Sequence, residues 1–573
     1  MPEFTMHPLP RFPRLALAAF LLAGTACSAQ SQPSSNHAKA CISDPALTLP
    51  AGFCAQVFAQ GLGHVRHMVL NAEGTLYANS QPGYEDTDKA AGLIILRDKD
   101  GDGRADETLR PIADQKGGTG VALYKGAVYF ENGARIMRHA LDPATGLPAA
   151  TGEEVVTNLA TSGDHVSHSI QIAPDGTLYV NSGSATNACQ QENRKAGSRG
   201  IAGCPEKQLR AGIWRYSADQ TGQIFAPNAR FATGIRNAVG LALDRKGSLF
   251  ATQHGRDQLR ENWGALYTAE QSQNLPAEEL VAVRQGDDFG WPECYYDPKA
   301  KALVLAPEYG GDGGKTIGLC ASRKPPVAAF PAHWAPNAVT IYEGQQFPAA
   351  YRGGAFIAFH GSWNRAPGPQ DGFNVVFQPM RDGAASGAYT IFADGFAGAG
   401  KARGDAKYRP SGLAVGPDGA LYISDDKGGR IWKVTYQGGA VASAQPSSTS
   451  KPAASAAPTT AAAPKLALPK GVTAASIALG QKIYEGKIGG ATCAGCHGSM
   501  GQGTALAPRL NDSQWLWSDG SPAGIRATII SGVAKPKRYP APMPAYGGVK
   551  LDDKATSALA AYVWSIAQAK SAQ

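Results

Sequence analysis

Two thiols and an imidazole meet in the run Cys493-Ala-Gly-Cys496-His497. This is the order a c-type haem requires: the thiols form thioethers with the two vinyl groups, and the adjoining His is carried beneath the iron. Cys493 and Cys496 are the expected attachment points and His497 the proximal ligand. Met543, followed by Pro544, is the expected sixth ligand, because a thioether on a Pro-stiffened loop can reach the iron from the opposite side and raise its potential. Met500 competes by residue type, but it follows His497 so closely that it lies on the same side of the ring. A half zinc site or a redox dithiol would use the same cysteines, yet no second Cys pair follows.

A second set of reactive residues is scattered through the first three quarters of the chain. Gly163-Asp164-His165-Val-Ser-His168 places a carboxylate beside an imidazole just ahead of an apolar segment, the makings of a general base. The plain alternative is a surface pair, and His168, which begins the strand, reads as structural. Gly234-Ile-Arg236-Asn237-Ala-Val-Gly240 and Gln253-His-Gly255-Arg256-Asp257 bring together guanidinium, amide, carbonyl and carboxylate groups. Gly286-Asp-Asp-Phe-Gly-Trp-Pro292, His360-Gly-Ser-Trp-Asn-Arg365 and Tyr408-Arg409-Pro-Ser411-Gly412 add further cations. Several Arg around one His suit an anionic cofactor.

Positioning such residues takes a repeated scaffold, and the chain carries one. A strand, a Gly-containing turn and a second strand recur around Asn71-Ala-Glu-Gly-Thr-Leu-Tyr-Ala, Leu123-Tyr-Lys-Gly-Ala-Val-Tyr-Phe, Ala173-Pro-Asp-Gly-Thr-Leu-Tyr-Val, Asp244-Arg-Lys-Gly-Ser-Leu-Phe-Ala, Tyr351-Arg-Gly-Gly-Ala-Phe-Ile-Ala and Gly416-Pro-Asp-Gly-Ala-Leu-Tyr-Ile. Six tight hairpins predict an all-β six-bladed propeller over 48–437, with long insertions in the third to fifth blades, where a propeller builds its site. Residues 438–470 are an Ala/Pro/Ser linker that cannot bury a core. Beyond it, amphipathic patterns at 474–486 and 552–569 predict a small all-α cytochrome c domain over 471–570.

The 573 residues exceed one domain, and the basic excess of +8 is interspersed with acidic residues, which gives no indication of a nucleic-acid partner. Arg11, Arg14 and the apolar 15–22 stretch read as a secretory signal over 1–26, too short to span a bilayer. Cleavage before Cys27 would allow a lipid anchor, although Gly24 stands where such signals usually carry Leu; ordinary cleavage is the alternative. The expected location is therefore periplasmic. Six further cysteines, paired with their sequence neighbours, predict disulfides 41–54, 189–204 and 294–320.

Over about 48–437 the chain resembles the soluble pyrroloquinoline-quinone (PQQ) dependent sugar dehydrogenases, in their sorbosone dehydrogenase-like branch. The resemblance rests on Asp164-His165 ahead of Pro174-Asp175, Gly-x-Arg236-Asn237-x-x-Gly240, Phe289-Gly-Trp-Pro292 and His360-Gly-Ser-Trp-Asn. It implies a propeller funnel holding PQQ and Ca²⁺, with His165 taking the proton of a substrate hydroxyl, Asp164 orienting it or the substrate, Arg236 stabilising the developing oxyanion and Asn237 bonding the cofactor. The carbonyls of Gly255 and Arg256 would hold Ca²⁺; Arg256 replaces the family's Pro. A pair of family arginines for the cofactor carboxylates is reduced to Arg409, with Ser411 at the second place, and Arg365 stands in for a Lys clamp.

The whole then reads as an exported quinohaemoprotein that oxidises a sugar or related aldehyde and passes electrons through its own haem to a soluble cytochrome or copper protein. The alternatives are a Ca²⁺-dependent lactonase-type hydrolase and a non-catalytic binding propeller, each fused to an electron-transfer cytochrome. Asp98-Lys-Asp-Gly-Asp-Gly-Arg-Ala-Asp106 has the alternating oxygens of a calcium loop but Leu109 where an EF-hand has Glu, so a second Ca²⁺ and a plain solvated turn both fit it.

Overall fold

The computed structural model describes residues 41–83, 91–113, 115–365, 369–398, 400, 404–438 and, with short interruptions, 468–568. The 1–26 segment, Cys27, most of the 438–470 linker, Cys496 and Met500 lie outside the described residues.

Six sheets form the six blades, antiparallel except where Gln223–Ile224 adds to Glu153–Thr157 in parallel. Their inner strands are His64–Leu70, Val121–Tyr124, Ile170–Ile172, Leu241–Leu243, Pro336–Ile341 and Pro410–Val415. The second strands Ala127–Glu131, Leu249–Gln253, Ala355–Phe359 and Leu421–Asp425 are buried along their whole length. A blade strand is covered on both faces, so period-two alternation disappears, and the polar residues Glu131, Gln253 and Asp425 stand only at the strand ends. The propeller closes on itself because Phe53–Ala59 pairs with Arg430–Tyr436 in the last blade, and Cys41–Cys54 fastens the segment ahead of that strand. All three expected disulfides are present.

Five of the six expected hairpins form, and of these only the second blade's turns on a two-residue pair, Lys125-Gly126, both at positive φ. In the fifth blade the repeat around Tyr351 is not a tight hairpin. A long connection, 342–354, joins Pro336–Ile341 to Ala355–Phe359, and Tyr351 ends a 3-10 turn that packs against Phe356 and Phe377. The insertions 183–211, 254–277 and 360–373 link second to third strands in blades three to five, and so emerge on the face where the inner strands begin.

The C-terminal region is helical. Ala474–Tyr484, Pro522–Ser531 and Asp553–Gln568 bury Ile477, Ile483, Ile529, Leu559 and Tyr562 together. Thr473 and Ser521 cap the first two helices by accepting backbone N–H groups. Gly480 permits the crossing of the first and last helices, since a Cβ there would lie 2.0 Å from the Ala558 carbonyl oxygen.

Candidate active site

His165 lies in the loop ahead of the third inner strand. Its Nδ1 is 2.9 Å from the Ser184 carbonyl oxygen, which only accepts, so Nδ1 carries the proton and Nε2 is a bare acceptor. Burial, reinforced by the Arg236 guanidinium, holds the ring well below the ordinary imidazole value of 6.5. The ring is therefore a neutral base at neutral pH. Gly183 makes the packing possible: a Cβ there would lie 2.5 Å from the His165 Cβ and 2.7 Å from Asn237 Oδ1. Asn237 is 6% exposed, and its Oδ1 has no hydrogen-bond partner, an acceptor left for a ligand.

Arg236 is fixed from several sides. It donates to the Asn187 carbonyl oxygen (3.1 Å), Asn187 Oδ1 (3.0 Å), the Gly255 carbonyl oxygen (2.9 Å) and Asp257 Oδ2 (2.9 Å). Burial alone would raise Asp257, but Arg236 and Arg194 reverse this and hold the carboxyl well below its usual range. Asn364, from the fifth blade, donates to the other Asp257 oxygen. Below this group Glu278 accepts from the Gly255 and Ala335 amides, and burial pushes its carboxyl up to about 8.

Asp164 does not orient His165 directly. Its carboxylate is bound by Arg194, through Nε (3.0 Å) and Nη2 (2.8 Å). Arg256 turns its guanidinium into a buried ion pair with Glu308, which neutralises the cation that stands where the resemblance leads one to expect Pro. Arg365 closes its own loop by donating to the Pro369 carbonyl oxygen. Arg409 donates to the His360 and Gly361 carbonyls. His168 is structural, as expected, with its Nδ1 2.9 Å from buried Glu131.

Four contributors were not singled out from the sequence. Arg66 and Asp426 form a buried pair, and Asp426 also meets His360 Nε2 at 2.7 Å. Burial lowers the basicity of Arg409, and Arg66 adds a smaller electrostatic push in the same direction. Arg66 lies near the start of an inner strand and Asp426 just past the end of a second strand, so scanning those two register positions in every blade would have found both. Arg194 and His333, whose Nδ1 lies 4.0 Å from Asp257 Oδ1, sit in an insertion and a connection that carry no repeat, and no such signal marks them.

The helical region holds an open apolar pocket lined by Cys493, His497, Trp515, Ile529, Met543 and Leu559, among others. His497 Nδ1 lies 2.9 Å from the Pro508 carbonyl oxygen, which fixes the proton there and leaves Nε2 bare for a metal. Met543 is held by a backbone bridge to Val533 and lines the same cavity. Apolar walls, one thiol, one correctly protonated imidazole and a thioether fit a haem c.

Among the described residues, Asp98, Asp100 and Asp106 gather carboxylate oxygens within 4.8 Å of one another, and Asp98 accepts from the Asp102 and Gly103 amides. No described helix is long and apolar enough to cross a membrane. Three disulfides and a c-type haem motif are features of an oxidising compartment.

Residues 47–437 match the TrAA12-like family, and residues 477–567 match cytochrome c. A PQQ-dependent pyranose dehydrogenase of Coprinopsis cinerea is 27% identical over 239 residues, 36% of this chain and 31% of that protein. A cbb3-type cytochrome c oxidase subunit FixPc of Rhizobium leguminosarum bv. viciae is 40% identical over 77 residues, 13% of this chain and 26% of that protein. The chain spans about half or less of the length of the curated relatives it matches. A calcium structure of the Trichoderma reesei carbohydrate-active enzyme family AA12 superposes with a TM-score of 0.55 at 21% identity, covering 68% of this chain and 97% of that one. It shares the propeller fold.

Proposed function

Because the chain belongs to the TrAA12-like family, we propose that it is an exported oxidoreductase that oxidises a sugar or related aldehyde or alcohol with PQQ and sends the electrons through its own haem c to an external acceptor. The observation that carries this reading is the funnel group: a neutral His165 with a bare Nε2, beside Arg236 and the unpartnered Asn237 Oδ1. A carboxylated quinone suits the funnel chemically, since Arg236, Arg409 and Arg66 supply guanidinium groups and Asn237 an acceptor.

When bound, PQQ supplies the two-electron acceptor that no side chain provides, with Ca²⁺ as a Lewis acid and haem c as the one-electron outlet. His165 takes the proton of the substrate hydroxyl at Nε2, while its Nδ1–H stays on the Ser184 carbonyl. Arg236 is held by Asn187, Gly255 and Asp257 before any ligand arrives, so its charge is preorganised toward a developing oxyanion. The Gly255 oxygen proposed for Ca²⁺ already accepts from Arg236 and has a second lone pair for the metal. Arg256 offers its carbonyl with its side-chain charge already paired to Glu308.

The proposal includes a signal over 1–26, a propeller over 48–437, a linker over 438–470 and a cytochrome over 471–570. The linker keeps the haem at high local concentration near the funnel. The outlet is a soluble cytochrome or copper protein in the periplasm, with Cys27 as a possible site of lipidation. Aldose oxidation by the purified protein, followed with a dye acceptor, tests this. Activity that requires both PQQ and Ca²⁺ supports the reading. Lactone hydrolysis without PQQ would favour the hydrolase, and sugar binding without either reaction would favour the binding module.

A further inference from the structure

We infer that Arg194 is a positioning residue for substrate recognition: it holds Asp164 so that one carboxylate oxygen stays open beside His165 to accept a hydroxyl of a neutral polyol. The inference rests on the sugar-oxidising reading above and concerns a residue that no motif in the sequence marks.

Arg194 is brought to the funnel by the 183–211 insertion, which the Cys189–Cys204 disulfide closes. Its backbone sits at φ 61, and its N–H donates to Gln190 Oε1 at 3.0 Å. A residue held in the left-handed region by a side-chain acceptor is placed, not incidental. The guanidinium engages three partners: Asp164 Oδ2 through Nε and Nη2, Gln258 Oε1 through Nη1 (3.0 Å) and Asp257 Oδ2 through Nη2 (3.2 Å).

Both contacts to Asp164 fall on the same oxygen. Its Oδ1 has no hydrogen-bond partner among the described residues, and both side chains of the pair retain 20% exposure. Asp164 precedes His165 in the chain, and the Arg194 guanidinium that binds it acts electrostatically on the imidazole, so on this inference Oδ1 and the bare His165 Nε2 serve one site. Two acceptors call for two donors, which is what neighbouring hydroxyls of a neutral sugar supply and a carboxylate does not.

Charge points the same way. Asp164, Arg194, Asp257 and Arg236 alternate in sign along one connected row, leaving no net charge to draw an anionic substrate. Through Asp257 the same row reaches Arg236, so the group that binds the hydroxyl and the group set toward the oxyanion share one carboxylate.

The test uses the full-length haem protein with PQQ and Ca²⁺, an aldose and the matching uronic acid. Wild type is expected to turn over the aldose at the lower KM. R194M is expected to raise KM for the aldose about tenfold or more, with a smaller change in kcat, because the pair that presents Oδ1 is lost. PQQ affinity, read by fluorescence titration, is expected to stay within about twofold, and R194K to recover part of the KM change. D164N should raise KM similarly, and the double variant should add little, as for two residues acting as one unit. An unchanged KM in R194M, or a KM rise accompanied by an equal loss of PQQ affinity, would overturn the inference. A wild type that oxidises no sugar defeats the sugar-oxidising reading itself, and the inference falls with it; that result appears in the wild-type arm alone.

Discussion

The haem cavity and the propeller funnel are built in opposite ways. The cavity takes Cys493 and His497 from one short stretch and Met543 from a loop, and sets them in apolar walls where the single imidazole needs one carbonyl to fix it. The funnel takes groups from all six blades: Arg66, Thr119 (which accepts from Arg66 Nε at 3.2 Å), His165, Arg236, His360 and Arg409 come one from each. There burial penalises every charge, and four cations meet a carboxylate, Arg66 with Asp426, Arg194 with Asp164, Arg236 with Asp257 and Arg256 with Glu308, while Arg409 is met by the His360 and Gly361 carbonyls. A local site in an apolar shell should fail one residue at a time, whereas a shared polar network should pass damage along.

Four experiments break or sharpen that contrast. His165→Ala should lower kcat about 10²- to 10⁴-fold while PQQ stays bound, the usual loss for a general base. Retained turnover would remove His165 from the base role. Asp257→Asn should spread further, because both Arg236 and Arg194 lose their shared carboxylate. The expected cost is about 3–5 kcal/mol of stability, seen as a lower Tm, together with reduced kcat/KM. A variant that loses neither would show that the row of charges is not coupled.

Met543→Ala, by contrast, should leave haem attached and dye-coupled turnover in the propeller unchanged while lowering the haem potential in a redox titration. An unchanged potential would shift the sixth-ligand role to another group. The fourth effect is on stability in mild acid. Burial pushes His67 down to about 4 and His254 to about 3, against 6.5 when exposed. Below 6.5 the unfolded chain takes up these protons while the folded propeller does not. Their contribution is therefore complete above 6.5 and declines as pH falls toward 4. Thermal melts of the propeller transition between about pH 7.5 and 4 should show a steady fall in Tm, and a flat profile would mean that the rings titrate freely.

The contrast also explains what could be read in advance. The haem ligands were legible because the chemistry requires contiguous residues, and the blades because each repeats a strand, a turn and a strand. Neighbouring cysteines found their partners because each pair closes a single insertion or strand approach. His165, Arg236 and Asn237 stand out in the sequence of their loops, but the partners that the structure gives them do not. Asp164 looked like a partner of the imidazole because it is adjacent in sequence, whereas the structure gives it to Arg194, a residue from an insertion without any repeat. The turn around Tyr351 was misread because its Gly-Gly pair imitates a hairpin, while the aromatic cluster of the fifth blade takes that segment into its packing. Pairings across blades depend on closure of the ring, which no local pattern records.

The most direct test of the central claim follows the haem spectrum of the purified protein, loaded with PQQ and Ca²⁺, after rapid mixing with a panel of aldoses and aldehydes. The account predicts substrate-dependent haem reduction that disappears when PQQ is omitted and in His165→Ala. Intact haem that no substrate reduces, or reduction that persists without PQQ, would contradict it.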